Sequence, residues 1–491
     1  MSDGDDGRLI LVLDAGTSST RALLYARDGT QHGSCSRDLV QHHPAPGLVE
    51  HDAAEIWAST LHCARAMVAA AGGPERIAAI GITNQRETVV AWDKASGEPL
   101  ARAIVWQDRR TAEACEALRA AGHEAHVQRE TGLLLDPYFS ATKMAWLLEH
   151  EPAGRAAGER LAFGTVESWL VWKMSGEHLT DVSNASRTSL FPLRGRDWSD
   201  ELLTLFGVPR AALPRVVGNA GSLAVTPPDL FGAQIPITGL IGDQQSATIG
   251  QGCLEIGQTK LTLGTGAFVL TNVGDEAPVE PGRLLGTVLC EVAGRRSYAL
   301  EGAIFVAGSL IQWLRDNLAL LQSADETEAL ARSVDDNGGV TLVPALAGLG
   351  APYWKPHATA SISGMSFAST RAHVARGALE AVSHQLVDLA AAFAEAGAEW
   401  HQLRIDGGMA ANNWLAQDLA DMIGIEVTRP ADVETTARGA AIVAAVGAGI
   451  YPDLEAAAEA MIGRGDRFTP HDLGATRGQR MAAWHAALSG S

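Results

Sequence analysis

The sequence predicts an α/β protein of two related domains that face each other, with a boundary near residue 250. A strand, a turn of glycine and hydroxyl residues and a returning strand open the chain at Leu9 to Ala26, and the same arrangement recurs at Thr259 to Asn272. Each opening is followed by alternating helix and strand signals. The length of 491 residues, 46% of them apolar, suffices for two cores of about 200 to 250 residues each. Short Gly-Thr turns are common, so on pattern alone duplication and coincidence both stay open.

Taken in order, Leu9 to Leu13 is an apolar run suited to a buried strand. Asp14 to Ser19 is a turn, and Thr20 to Ala26 returns as a strand. Arg27-Asp28-Gly29-Thr30 carries the Asp-Gly hairpin signal, with a third strand through Cys35 and Arg37. Ala53 to Ala71 has helical character, and Ile77 to Ile82 reads as a strand. In the second half, Thr259 to Leu263 and Ala267 to Asn272 are strands around Gly264-Thr265-Gly266. Ile304 to Leu318 and His373 to Ala396 are helix candidates. Leu403 to Ile405 is a short strand running into Asp406-Gly407-Gly408, and Asn412 to Ile423 a helix. Thr436 to Val446 is small and apolar, fitting a helix packed closely on a sheet. The tail from Asp453 reads as helix, loop, helix, with Pro470 in the break. No low-complexity linker separates the halves, which are therefore expected to meet at a hinge.

Composition excludes several classes. The net charge is 38 − 57 = −19, against general nucleic-acid binding and stable association with anionic membranes. A phosphate ligand must then be held by local geometry. The five cysteines are scattered and form no CxxC pair, so neither a disulfide scaffold nor a zinc knuckle is expected. Met1 to Gly7 is acidic, without the basic and apolar regions of a signal peptide, and no apolar run reaches the roughly 20 residues of a membrane span. A cytoplasmic protein is the expectation.

Three clusters suggest a phosphate-bearing ligand. At the end of the first strand, the Asp14 carboxylate can organise Mg²⁺, Gly16 admits a close backbone approach, and Thr17, Ser18 and Ser19 offer donors. This is neither GxxxxGK[ST] nor GxGxxG, and alone it is equally a plain turn. Gly264-Thr265-Gly266 and Asp406-Gly407-Gly408 are the second and third clusters. Together they suit a nucleotide clamped between two lobes.

Further segments carry a resemblance: Gly81-Ile82-Thr83-Asn84-Gln85-Arg86-Glu87-Thr88, Ile104 to Arg110, Asp136-Pro137-Tyr138-Phe139-Ser140, Gly164 to Trp169, Asn184 to Thr188, Gly242-Asp243-Gln244-Gln245, Leu349 to Trp354, and Asp406-Gly407-Gly408 with Asn412-Asn413. With these, the chain resembles the FGGY family of carbohydrate kinases from about Leu9 to Tyr451, and within it the members that phosphorylate glycerol. The resemblance implies two ribonuclease-H-like, actin-like ATPase domains around a central cleft. Residues 1–250 would hold the polyol and part of the phosphate site, and residues 251–491 the nucleotide. It also implies ATP and Mg²⁺ as cofactors, glycerol or a similar small polyol as substrate, and a homodimer or homotetramer.

Carried over by position, Asp243 is the catalytic base and Gln244 binds a substrate hydroxyl. Arg86 and Glu87 form the polyol clamp, a donor and an acceptor of opposite polarity. Tyr138 adds a phenolic hydrogen bond. Trp106 and Phe268 line the carbon face of the polyol; aromatic side chains are also ordinary core residues. Asp14, with Asp243, holds Mg²⁺. Thr17, Ser18, Ser19 and Thr265 contact phosphates, and Gly408 and Asn412 border the nucleotide. Gln312 either faces it or is a plain helix-surface residue.

Departures from the family pattern fall at Ala15, Leu263, Ala267 and His357 to Ser369. The stretch Phe231-Gly232-Ala233-Gln234 lacks the arginine with which regulated relatives bind fructose 1,6-bisphosphate, so that control is not expected. Two alternatives remain at this level: a kinase for a tetritol or ketose, and a non-catalytic actin-like scaffold. Retention of both Asp14 and Asp243 favours catalysis. The site residues are split between the halves, so a cleft that narrows around its substrates is expected.

Overall fold

The computed structural model describes residues 7–278, 281–355 and 357–490. The acidic stretch Met1 to Asp6 lies outside them. Strands β1 (Leu9–Ala15), β2 (Ser19–Tyr25), β3 (Gln31–Asp38), β4 (Ile77–Asn84), β5 (Ala220–Val225) and β6 (Pro236–Gly242) belong to the first half of the chain. Strands β7 (Gln258–Leu263), β8 (Ala267–Gly274), β9 (Leu285–Val292), β10 (Arg295–Ile304), β11 (Gln402–Asp406), β12 (Val427–Arg429) and β13 (Asp466–Phe468) belong to the second. β1 and β4 are buried on both faces, which is why they read as apolar runs without alternation.

The duplication is real at the level of strand order. In the first half, β1 and β2 pair antiparallel, as do β2 and β3, while β4 lies parallel to β1 and β6 parallel to β4. In the second, β7–β8 and β8–β10 are antiparallel, β11 lies parallel to β7, and β12 parallel to β11. An antiparallel strand closes the far edge of each set, β5 on β6 and β13 on β12. This is the ribonuclease-H-like order, present twice. The two sheets touch through one parallel bridge, Ala220 to Val292, so these thirteen strands form a single sheet.

Helix α1 (Ala53–Ala70) and helix α2 (Val166–Ser175) cover one face of the first sheet through Ile56, Cys63, Trp169 and Leu170. Helix α3 (Asp243–Gly250) follows β6 directly. Helices α4 (Gly308–Asp316), α5 (Arg371–Glu395) and α6 (Asn413–Ile423) build the core of the second half. Helix α7 (Thr435–Gly447) is coded in the second half but packs on the first. Its alanines meet Ile10, Val12, Ala79 and Ile241 of β1, β4 and β6. Small residues make that approach possible. A Cβ on Gly439 would lie 1.8 Å from the Ser246 carbonyl, and one on Gly250 would lie 1.9 Å from the Thr435 carbonyl. Thr238 and Ser246 hydroxyls donate to the Ala444 and Thr436 carbonyls across the seam. Helix α8 (Ala475–Ser489) docks through Trp484.

Most expected elements form where the pattern placed them. Two differ. The helix expected from Ile304 starts at Gly308, because β10 runs on to Ile304, which pairs with Ala267. The tail contains an edge strand, β13, between its two helices. Among the described residues no helix is long and apolar enough to cross a membrane.

Candidate active site

Parallel pairing explains why distant motifs converge. β1, β4 and β6 run side by side, with Asp14 opposite Thr83 and Gly242 opposite Asn84. Their carboxyl ends therefore deliver Asp14, Arg86–Glu87 and Asp243 to one edge. β7 and β11 do the same in the second half, with Thr262 opposite Asp406, bringing Gly264–Gly266 beside Asp406–Gly408. Gln85 fastens the first two motifs: its N–H donates to the Ala15 carbonyl at 2.8 Å and its amide to the Gly16 carbonyl at 3.0 Å.

The expected Arg86–Glu87 clamp is more extended than a simple pair. Arg86 Nε and Glu87 Oε1 are 3.9 Å apart. Arg86 is instead bidentate to Glu301, at 2.7 and 3.1 Å, and its Nε faces Asp243 at 3.3 Å. Glu87 receives Arg187 Nε at 2.7 Å, and Arg187 also reaches Glu301 at 3.2 Å. The result is a chain Glu87–Arg187–Glu301–Arg86 that is buried throughout, crosses between the halves and ends at the partly exposed Asp243. Burial alone would push Glu301 up, but Arg187 and Arg86 together outweigh it and hold this carboxyl at about 2. Glu87 sits at φ +61°, a left-handed conformation unusual for a side chain of this size. Ser140 Oγ and Lys143 Nζ hold it there through hydrogen bonds to its carbonyl at 3.1 and 3.5 Å.

Tyr138 Oη lies 3.5 Å from Arg86 Nη2, at the limit of a hydrogen bond, and its ring packs edge-on against Trp106 at 5.6 Å. Trp106 Nε1 donates to Thr17 Oγ1 at 3.0 Å, so the aromatic wall is tied to the first phosphate-type turn. Trp106, Tyr138, Phe268 and Glu301 line a cleft of about 810 Å³ that draws on both halves. Arg86 and Glu87 are buried, while the Asp243 side chain keeps 29% of its exposure. Burial pushes the Asp243 carboxyl up to about 6, with Arg86 opposing the rise.

Asp14 is paired with Arg21 Nη2 at 2.5 Å, and Arg21 Nη1 reaches Glu434 of the second half at 2.7 Å. Ser18 is exposed, and Thr17 and Ser19 are partly so. Thr265, Gln312, Gly408 and Asn412 line a second cavity of about 510 Å³ within the second half. Thr265 borders both cavities. A Cβ on Gly408 would meet nothing within 4 Å, whereas Gly407, at φ +86°, abuts Leu263 and is a turn requirement. The Asn412 side chain caps α6 by accepting from Leu415 N–H at 3.0 Å and donates to Thr327 at 3.1 Å. Its contribution to the cavity is thus its position, not a free amide. None of residues 357–369 lines either cavity, so that departure lies away from them.

Sequence reasoning missed Arg21, Arg187, Lys260 and Glu301. Arg21 stands opposite Asp14 in the hairpin register, a relation readable once that turn was placed. Glu301 interrupts an apolar run, Tyr298 to Ile304, which is the mark of a charge buried for a purpose.

Comparison with known families places the chain as a whole. The model for the N-terminal domain of the FGGY family of carbohydrate kinases matches residues 9–250, and that for the C-terminal domain residues 259–448. The chain belongs to this family. It is 49% identical to a glycerol kinase of Dechloromonas aromatica, over 100% of this chain and 99% of the relative. It is 50% identical to one of Rhodospirillum rubrum, over 98% of each. Among solved structures, glycerol kinase of Plasmodium falciparum with ADP superposes with a TM-score of 0.93 at 32% identity, covering 98% of each chain. Xylulose kinase of Lactobacillus acidophilus, at 19% identity and a TM-score of 0.89 over 98% of each chain, shares the fold.

Proposed function

We propose that this protein phosphorylates glycerol at a primary hydroxyl, with ATP as donor. The observation that carries this reading is the junction at Thr265. There the second-half cavity, with its nucleotide-type residues, shares a wall with the cleft lined by Trp106, Tyr138, Phe268 and Glu301, and Glu301 anchors the Arg86 that faces Asp243. Full-length relatives named glycerol kinase, at about 50% identity, favour glycerol as the acceptor.

In this reading, residues 1–250 supply the polyol site and part of the phosphate site, and residues 251–491 supply the nucleotide site. Asp243 is oriented by the Gln244 N–H at 2.7 Å and by Arg86. With its carboxyl raised to about 6 it is ionised at neutral pH, yet basic enough to take the hydroxyl proton as the oxygen–phosphorus bond forms. Glu87 and Gln244 hold neighbouring hydroxyls, and Trp106, Tyr138 and Phe268 cover the carbon face and exclude water. Thr17 and Thr265 contact the phosphates from opposite lobes. Mg²⁺ suits the donor set: Asp14 and Asp243 stand at the carboxyl ends of β1 and β6, and Mg²⁺ is commonly held by one or two carboxylates together with waters and phosphates. Asp14 and Asp243 would hold it, and it would neutralise charge on the transferring phosphoryl group.

Coupled ADP release across a panel of glycerol, tetritols and ketoses tests the proposal. Glycerol should give the highest kcat/KM. A tetritol or ketose preferred more than tenfold would replace glycerol as substrate, and an absence of polyol-stimulated ADP release would remove the catalytic reading.

A further inference from the structure

Lys260 is a fully buried lysine in the middle of β7; burial disfavours its charge, and Asp406 and then Asp243 oppose that effect. Its ammonium does not close on either carboxylate in a hydrogen bond. It donates across the interface between the halves to Oε1 of Gln244, the second residue of α3 and the neighbour of Asp243. Asp406 is occupied on one oxygen by the Thr435 hydroxyl, and its Oδ1 is buried without a hydrogen-bond partner.

An ammonium has three donors and no acceptor, whereas a primary amide has an oxygen end and a nitrogen end. Lys260 can therefore donate only to the oxygen end of Gln244. The nitrogen end is thereby left over, and Gln244 Nε2 donates to no protein group among the described residues. Donors are scarce at this site. The terminal nitrogens of Arg86 are already directed at Glu301, Gln245 and Tyr138. Glu87 and Asp243 offer acceptors. A hydroxyl that gives its proton to a carboxylate still needs a donor on its lone pairs.

We propose that Lys260 is a positioning residue that fixes the polarity of the Gln244 amide, so that this side chain offers N–H and not C=O to the polyol. The proposal rests on the reading above, in which the polyol binds beside Asp243 and Gln244. It adds a residue from the nucleotide-binding half that sets hydroxyl recognition in the other half.

Steady-state kinetics of the wild type, Lys260→Met, Gln244→Ala and the double variant test it, with glycerol, propane-1,2-diol, propane-1,3-diol and ATP each varied. Lys260→Met should raise the glycerol KM about tenfold, the value of one hydrogen bond, and leave the ATP KM within about twofold. The double variant should be no worse than the worse single variant, because both remove the same donor. With the diol that lacks the hydroxyl read by Gln244, the Lys260→Met effect should fall to within about twofold. Additive effects, equal penalties on glycerol and both diols, or a matching rise in ATP KM would overturn the proposal. Gln244→Glu guards against a misfolded Lys260 variant. It keeps a partner for Lys260 but removes the donor, so the glycerol KM should rise while the melting temperature holds. A wild-type glycerol KM in Gln244→Glu would also overturn it. If the wild type phosphorylates glycerol and these effects are missing, only the proposal fails. If the wild type phosphorylates no polyol, the functional reading fails and takes the proposal with it.

Discussion

Replacing Glu301 by glutamine removes one negative charge shared by two buried guanidinium groups and barely changes shape. The carboxylate meets Arg86 at 2.7 and 3.1 Å and Arg187 at 3.2 Å, and it is fully buried. Its carboxyl is held at about 2 against an ordinary 4.5. A depression of that size corresponds to about 3 kcal/mol at neutral pH. Because the folded-state value is the lower one, this contribution is complete above pH 4.5 and is lost as the pH falls towards 2. At about 2.1 cal/mol/K per residue, melting of all 491 residues together has an entropy of about 1 kcal/mol/K. Glu301→Gln should therefore lower the melting temperature by about 3 °C if the chain melts as one unit, and by about 6 °C if one half melts alone. The difference from wild type should narrow between pH 5 and pH 3. In the coupled kinase assay, loss of the anchor for Arg86 should lower kcat/KM for glycerol about 100-fold. A melting temperature within 1 °C of wild type, with kcat/KM within about threefold, would refute the account of Glu301 as the keystone of the charge chain.

Asp243→Asn should lower kcat by about 10²- to 10⁴-fold with little change in either KM, and a variant keeping more than half of kcat with chemistry rate-limiting would reassign the base. Since the base acts deprotonated and its carboxyl is raised to about 6, wild-type kcat/KM should fall as the pH drops through about 6, an inflection to be sought in the pH profile and absent if Asp243 is not the base. Asp14→Ala should weaken Mg-ATP and slow turnover together, measured by ATP titration at several Mg²⁺ concentrations; unchanged ATP KM and kcat would remove Asp14 from the phosphate site. Small-angle scattering should show a more compact particle with glycerol and a non-hydrolysable ATP analogue than without ligands, and an identical profile at confirmed saturation would rule out cleft closure.

The parts of this protein legible in the sequence are those set by short-range pattern. β1, β2 and the turn between them follow from an apolar run, a hydroxyl-rich break and a second run, and the same logic recovers β7 and β8. The motifs at Arg86–Glu87 and Asp243 were visible through family resemblance, and their convergence follows from parallel pairing that no local pattern encodes. The partners of those motifs were not legible. Arg187 lies 100 residues from Glu87, and Glu301 lies 215 residues from Arg86. The folding of the first half makes Arg187 and Glu87 neighbours, and the meeting of the two halves does the same for Glu301 and Arg86. Lys260 was hidden differently: it lies within a strand recognised as such, where nothing marks which way a side chain crosses between lobes. The start of α4 was misjudged because Ile304 suits a helix and a strand equally, and the ladder with Ala267 decides the matter.

The placement of α7 bears on how the chain is made. Synthesis completes every strand of the first sheet by Gly242, yet the helix that covers Ile10, Val12, Ala79 and Ile241 is not translated until residues 435–447. Roughly 190 residues must leave the ribosome before that apolar face can be sealed. A nascent first half therefore passes through a period with a finished sheet and one greasy side open to water, the kind of surface that recruits chaperones or other nascent chains. A fragment ending at residue 250 would stay in that state permanently. Expressed alone it should aggregate, and it should gain solubility when the second half is supplied in the same cell. The boundary between the halves in sequence is thus not a boundary in folding: the first half is finished by the last quarter of the chain.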